Sequence, residues 1–204
     1  MKYKSQAISL TYIKNGDSSI ISKMLTKEKG LQTFIVKGVR SKKSKKKLSY
    51  FEPLRLLNID ADFNARKSLQ YLGDATIAVN FDNMKNKMNN SFIGFFIAEI
   101  SSKVVQENEQ NKMLFDFIWK TSNELYSSKI TDPNFALKYL INLSRFLGFY
   151  PSETEIKKPF FDLESGVFSD KITSFSPFLN KQKTTYLKAL INNERILIPQ
   201  KQKS

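Results

Sequence analysis

The chain has 204 residues, 41% of them hydrophobic and 13% aromatic, enough apolar content to bury the core of one large domain or two small ones. Lysine and arginine outnumber aspartate and glutamate by 33 to 19, a formal net charge of +14, so the whole molecule is drawn to polyanions. Cysteine and histidine are both absent, which excludes disulfides, thiolate nucleophiles, imidazole bases and the usual zinc ligands.

Met1 to Leu10 contains no continuous apolar segment of the signal-peptide kind. The longest apolar run, Phe92 to Ile100, is too short to span a bilayer and contains Glu99. The expected location is the cytoplasm, with no membrane partner. Short strands punctuated by turns come first: Ala7 to Ile13, Asn15-Gly16-Asp17 as a hairpin turn, Ser19 to Leu25, Lys29-Gly30 as a second turn, and Leu31 to Lys37. A fourth strand is predicted over Tyr50 to Ile59, with Pro53 marking an edge or a bulge, and a fifth and weaker one over Ser68 to Leu72. Five short strands in so few residues fit a small closed barrel of the OB type, assigned to residues 1–78.

From about Phe81 the apolar period becomes helical. Phe92, Phe96, Ile100 and Val104 recur at i+4 beside Ile93 and Ile97, which predicts a central bundle helix buried along that stripe. Leu114, Phe117, Ile118 and Leu125 predict a second helix. The third is punctuated at both ends: Asp132 as cap and Pro133 at the first position, a stripe of Phe135, Tyr139, Leu143, Phe146 and Leu147, then Arg145 in the last turn, Gly148 as stop and Pro151 beyond. Residues 152–178 read as irregular, and Lys181 to Ile191 as a last helix. The fold class is α+β, an N-terminal barrel followed by a helical domain over residues 79–204.

The chemistry concentrates in Lys37-Gly38-Val39-Arg40-Ser41-Lys42-Lys43-Ser44-Lys45-Lys46-Lys47, seven cations in eleven residues with no acid between Glu28 and Glu52. No core can hold that density of charge, so the segment is a solvated loop between two strands. Closely spaced cations release counterions from a nucleic-acid backbone whatever its base sequence. The plainer alternative is a charge run that only aids solubility. Lysine supplies 28 of the 33 cations, and lysine acts as a point charge on phosphate rather than as a bidentate reader of guanine, so the contact should tolerate any sequence. The candidate nucleic-acid residues are Lys37, Arg40, Lys42, Lys43, Lys45, Lys46 and Lys47, with Arg55 as an addition. Phe34, Tyr50 and Phe51 flank the loop on strands, where each either stacks on a base or plugs the barrel. Asp60 and Asp62, two apart on one strand face, have the spacing of a metal-dependent nuclease pair, but no further acids lie nearby and solvated strand-end aspartates are the better account. No phosphate-binding glycine motif of the G-x-x-x-x-G-K-[ST] kind is present, and no cofactor is implied. An RNA- or ribosome-associated OB protein would carry the same basic barrel.

Four segments taken in order resemble one family: Gly16-Asp17-Ser18-Ser19, Leu25-Thr26 with Gly30, Val36-Lys37-Gly38-Val39-Arg40, and Phe51-Glu52-Pro53-Leu54 are similar to the N-terminal domain of the RecO family of bacterial recombination mediators, and Leu147-Gly148-Phe149-Tyr150-Pro151 is similar to its helical-domain signature. The resemblance implies an OB domain followed by a helical domain, and a protein without enzymatic activity. It also implies binding of single- and double-stranded DNA at the nucleoid, annealing of complementary strands, and loading of the recombinase RecA, together with RecR, onto strands coated by single-strand-binding protein. Many members of the family carry a four-cysteine zinc site in the segment corresponding to Phe160 to Pro177. This chain has no cysteine there, so the loop is expected to be held instead by packing of Phe161, Leu163, Val167 and Phe168. Docking of the acidic C-terminal tail of single-strand-binding protein is implied as well, and the helix from Asp132 to Gly148 offers a site: Lys138 and Arg145 lie two turns apart on one face with Ile141 between them.

Overall fold

In the computed structural model, the structure describes residues 1–41, 47–81, 87–128, 132–172 and 176–196. Five strands close into a barrel: β1 (Lys2–Asn15), β2 (Ser19–Thr26), β3 (Gly30–Val36), β4 (Leu56–Asp62) and β5 (Leu69–Ile77), in the order β1-β2-β3-β5-β4 with β4 returning to β1. The β3–β5 pair is parallel and every other pair antiparallel, which is the OB-type barrel expected from the sequence. β1 is long because it pairs with β2 along one half and β4 along the other, and a bulge at Ser9/Thr11 bends it from one partner to the next. Inward side chains fill the interior: Ala7, Ile20, Met24, Phe34, Val36, Leu57, Ile59 and Leu72, closed by Val39 and Phe51 from the β3–β4 connection.

The connection into β4 differs from the single strand expected over Tyr50 to Ile59. A 3-10 turn, Leu48–Phe51, comes first, Leu54 takes a positive φ of 59°, and the strand begins only at Leu56. Pro53 has no N–H for a ladder, so pairing starts beyond it. At the β2–β3 turn Gly30 is required: its φ is +66° and a Cβ there would lie 2.1 Å from the Glu109 carbonyl oxygen.

Helices α1 (Lys87–Val104) and α2 (Lys112–Ser127) pack with the barrel in one compact unit, Met1–Thr131. The sequence reading divided the chain at 78/79, where the barrel ends, whereas packing groups these two helices with it. Asn111 caps α2 by accepting from the Leu114 N–H at 2.9 Å. Two side chains of α2 grip the β4 approach: the Ser122 hydroxyl donates to the Leu54 carbonyl at 2.6 Å, and the Tyr126 hydroxyl to that of Pro53 at 3.2 Å. Burial pushes the Tyr126 hydroxyl up to about 12, so it remains a donor at neutral pH.

The stripe expected to bury α1 is corrected. Phe92 is 64% exposed and Phe96 is also exposed, as is Phe95, while Asn90, Gly94, Ile97, Ala98 and Ser101 form the buried face. Small residues decide this. Gly94 admits Tyr126 so closely that a Cβ would lie 2.4 Å from its hydroxyl oxygen, and the Asn90 amide donates to the Leu125 carbonyl at 2.8 Å.

The second unit, Asp132–Ser204, holds α3 (Phe135–Phe146), three short strands β6 (Phe160–Asp162), β7 (Val167–Ser169) and β8 (Phe178–Leu179), and α4 (Lys181–Ile191). α3 begins later than expected: Asn134, not Asp132, holds the cap position and Pro133 precedes the helix, while the Asp132 carboxylate accepts from the Asn134 N–H at 2.9 Å; Gly148, at φ +81°, ends α3 as expected. The segment read as irregular instead forms a sheet in the order β7-β6-β8. Its core is Phe161 against Phe168, rings 4.9 Å apart, whereas Leu163 and Val167, also expected to pack, are exposed. Lys188 of α4 lies 5.6 Å from the Phe168 ring and Lys181 5.9 Å from that of Phe160. The Asp162 carboxylate accepts from the Ser165 and Glu164 N–H groups, at 3.1 and 2.8 Å, which hold it below the usual range and tie the β6–β7 turn. The residues of this segment do not fit a zinc site of the family's kind: the chain has no thiolate or imidazole, and the Asp162 carboxylate is occupied by backbone donors.

Candidate nucleic-acid interface

The cationic segment leaves the barrel at the end of β3 and rejoins it at the 3-10 turn. At the leaving end Val39 turns into the barrel core, and Gly38, at φ +69°, makes the turn that lets it do so. The Arg40 N–H donates to the Ser18 carbonyl at 2.9 Å, and its guanidinium to that of Gly16 at 2.8 Å, so the β1–β2 and β3–β4 connections are pinned together. Arg40 nonetheless remains exposed, and a guanidinium with five donors that uses one still offers the others. Lys37 is exposed, its ammonium 5.9 Å from the ring of Tyr71. Lys42, Lys43, Lys45 and Lys46 lie outside the described residues.

At the rejoining end, Lys47, Tyr50 and Arg55 come together around a pocket of about 480 Å³ that Ser49, Ile77, Ala78 and Asn80 also line. The Arg55 guanidinium is committed to Glu52 at 3.0 Å and its side chain is largely buried, which leaves it less available to an outside anion than the exposed Lys47. Tyr50 is half-buried, packed against the edge of the barrel core. Phe34 is corrected as a stacking residue: it is fully buried in the barrel, as is Phe51. Alternation along β3 turns Phe34 inward and leaves Ile35 and Lys37 on the outer face. The exposed aromatic that sequence reading missed is Tyr71 on β5, and the alternation Leu69, Gln70, Tyr71, Leu72 was its signal.

Asp60 stands opposite Asp74 on β5 and 3.9 Å from the Lys4 ammonium. Among the described residues no three carboxylates converge to hold a metal ion.

On α3 the two cations flanking Ile141 already have partners. Lys138, only 12% exposed in its side chain, donates to the Asp132 carboxylate at 2.7 Å and to the Asn193 carbonyl at 3.0 Å. Arg145 pairs with Glu153 at 3.1 Å and lies 3.5 Å over the Tyr150 ring, yet stays half exposed. Ile141 is half-buried. Burial alone would raise the Asp132 carboxyl, but hydrogen bonds from Lys138 and the Asn134 N–H outweigh it and hold the group below its ordinary value.

Comparison with known proteins accounts for both halves. Residues 1–81 match the family model described as Recombination protein O N terminal, and residues 86–190 that described as Recombination protein O C terminal. A protein of Flavobacterium johnsoniae named DNA repair protein RecO is 31% identical over 193 residues, covering 94% of this chain and 80% of that one. Proteins of the same name from Azobacteroides pseudotrichonymphae and Bacteroides fragilis are each 32% identical, over 169 and 170 residues, covering 82% and 83% of this chain and 70% of each relative.

Proposed function

The chain belongs to the RecO family, and from that premise we propose that it is a DNA-binding and strand-annealing protein of recombinational repair, acting at the nucleoid without catalysing a covalent step. The observation that carries the reading is the acid-free cationic segment of residues 37–47, which leaves and rejoins a closed barrel whose interior is already filled by Phe34, Val39 and Phe51. The connection from which it springs is pinned by Arg40 to a second loop. Lys37, Arg40, Lys42, Lys43, Lys45, Lys46 and Lys47 are the proposed phosphate ligands. Neutralising two phosphate backbones at once removes the repulsion that opposes their pairing, and a grip blind to base identity lets the strands test alignments. In annealing of complementary strands, naked or coated with single-strand-binding protein, the protein should accelerate both reactions; acceleration of neither would refute the proposal.

Docking of the acidic tail of single-strand-binding protein is proposed at α3, with Arg145 and Ile141 as its contacts and Lys138 in support. Because Lys138 is largely buried on Asp132, the half-exposed Arg145 is the cation better placed to receive a carboxylate. Arg145→Glu should weaken binding of the isolated tail peptide at least tenfold and leave annealing of naked strands unchanged. Handing strands to RecA with RecR belongs to the same proposal.

A further inference from the structure

The outer face of the barrel carries an apolar row that takes a residue from each of four neighbouring strands. Ile13 pairs with Ile21, Ile21 with Ile35, and Ile35 with Tyr71, so the row crosses β1, β2, β3 and β5 at one level. Ile13 is 65% exposed and Tyr71 42% exposed, with Ile21 and Ile35 half-buried between them. None of the four belongs to the barrel core. At about 4.8 Å between strands the row is roughly 14 Å across, the width over which other nucleic-acid-binding sheets stack two or three bases.

The charges around the row decide its occupant. Lys37 follows Ile35 on the same face of β3 and stands 5.9 Å from the Tyr71 ring, and the cationic segment continues from it. Beyond Tyr71 the next strand presents Asp62 in register, and Asp60 follows on the same face. A polyanionic backbone is therefore favoured on the Lys37 side of the row and repelled on the β4 side, which leaves its bases over the row itself. A second copy of the chain is a poor occupant, because two molecules each carrying a formal +14 repel.

We propose that Ile13, Ile21, Ile35 and Tyr71 form a platform on which the unpaired bases of single-stranded DNA lie, with Tyr71 stacking on one base while Lys37 holds an adjacent phosphate. This rests on the proposed DNA-binding function and adds a division of labour: the cationic segment grips any backbone, and the platform distinguishes single strands from duplex, whose bases are already stacked.

The test uses the full chain, a 20-nucleotide oligo-dT bearing one 5-iododeoxyuridine, and a blunt duplex of the same length. Tyr71→Ala should weaken oligo-dT binding roughly tenfold, leaving duplex affinity and the salt slope unchanged, and Tyr71→Phe, which keeps the ring, should restore single-strand affinity. Ile13→Ser, at an exposed position, should weaken oligo-dT alone if Tyr71→Ala does not fold. Ultraviolet cross-linking should mark the peptide that carries Tyr71. Unchanged oligo-dT affinity, an equal loss on duplex, or cross-links confined to other peptides would overturn the platform. Failure of the unaltered protein to bind either probe would overturn the DNA-binding function itself.

Discussion

Replacing Gly94 by alanine should destabilise the first unit even though alanine is the better helix former. In an exposed helix the exchange would stabilise by about 1 kcal/mol. Here the new Cβ would lie 2.4 Å from the Tyr126 hydroxyl oxygen and 3.3 Å from Cζ, and the ring cannot swing aside freely because it packs on Phe81 at 5.1 Å. Displacing the hydroxyl breaks its bond to the Pro53 carbonyl, at about 1–3 kcal/mol, and overpacking adds about 1–3 kcal/mol. The net loss expected is about 2 kcal/mol. Tyr126→Phe alone should cost about 1 kcal/mol for the lost hydrogen bond. In combination the two should not add, because removing the hydroxyl frees the space that the methyl group needs, and a coupling of about 1–2 kcal/mol is expected. Trp119, the one tryptophan of the chain, lies in α2 with its ring 5.5 Å from that of Phe115, so its fluorescence during urea unfolding follows this unit. A Gly94→Ala variant more stable than the parent, or additive costs in the double variant, would refute this account of α1–α2 packing.

Ile97→Ala, which empties a fully buried position of α1, should cost 2–5 kcal/mol, roughly, against less than about 0.5 kcal/mol for Phe92→Ser on the exposed stripe. Equal costs, measured through Trp119, would return the stripe to the core. A chelator should leave the melting temperature unchanged, whereas Phe168→Ala, which removes the ring under Lys188, should lower it in the second unit by several degrees; a chelator-induced drop would contradict the metal-free account of the β6–β8 sheet. Asp132 is held below its ordinary 3.8, so the stability it contributes is fully present above that value and is lost as pH falls through its lower folded value. Asp132→Asn should therefore reduce protection of α3 amides from hydrogen exchange at neutral pH and flatten the decline of that protection in acid, and an acid profile matching the parent's would count against the Asp132–Lys138 pair.

The elements that sequence reading located best are those whose ends carry local chemistry. The turn at Asn15-Gly16-Asp17, with Gly16 at φ +59°, and Gly30 bracket β2 and β3 to within a residue. Asn180 caps α4, accepting from the Lys183 N–H at 3.0 Å, and that helix spans the residues expected. What escaped depends on partners distant in sequence. The buried face of α1 includes Asn90 and Gly94, which read as weakly apolar until Leu125 is seen to accept from the Asn90 amide and Tyr126 to press against Gly94. Strands of two and three residues around Phe161 and Phe168 are too short to show a period. At the candidate site, the cations were legible because charge density needs no tertiary information. Alternation puts Phe34 and Ile35 on opposite faces of β3, but only barrel closure determines which face is in. The two-turn spacing of Lys138 and Arg145 was legible, whereas Asp132 and Glu153, which engage them, lie outside the helix.

The most direct test of the central claim is the salt dependence of oligo-dT binding for the parent and for a variant with Lys42, Lys43, Lys45 and Lys46 replaced by alanine. If about five cations of the segment meet phosphates, the parent's log–log slope should be on the order of −3.5, and the variant should lose most of that slope and bind different sequences about equally weakly. A slope that the four replacements leave unchanged would show that DNA is held elsewhere on the molecule.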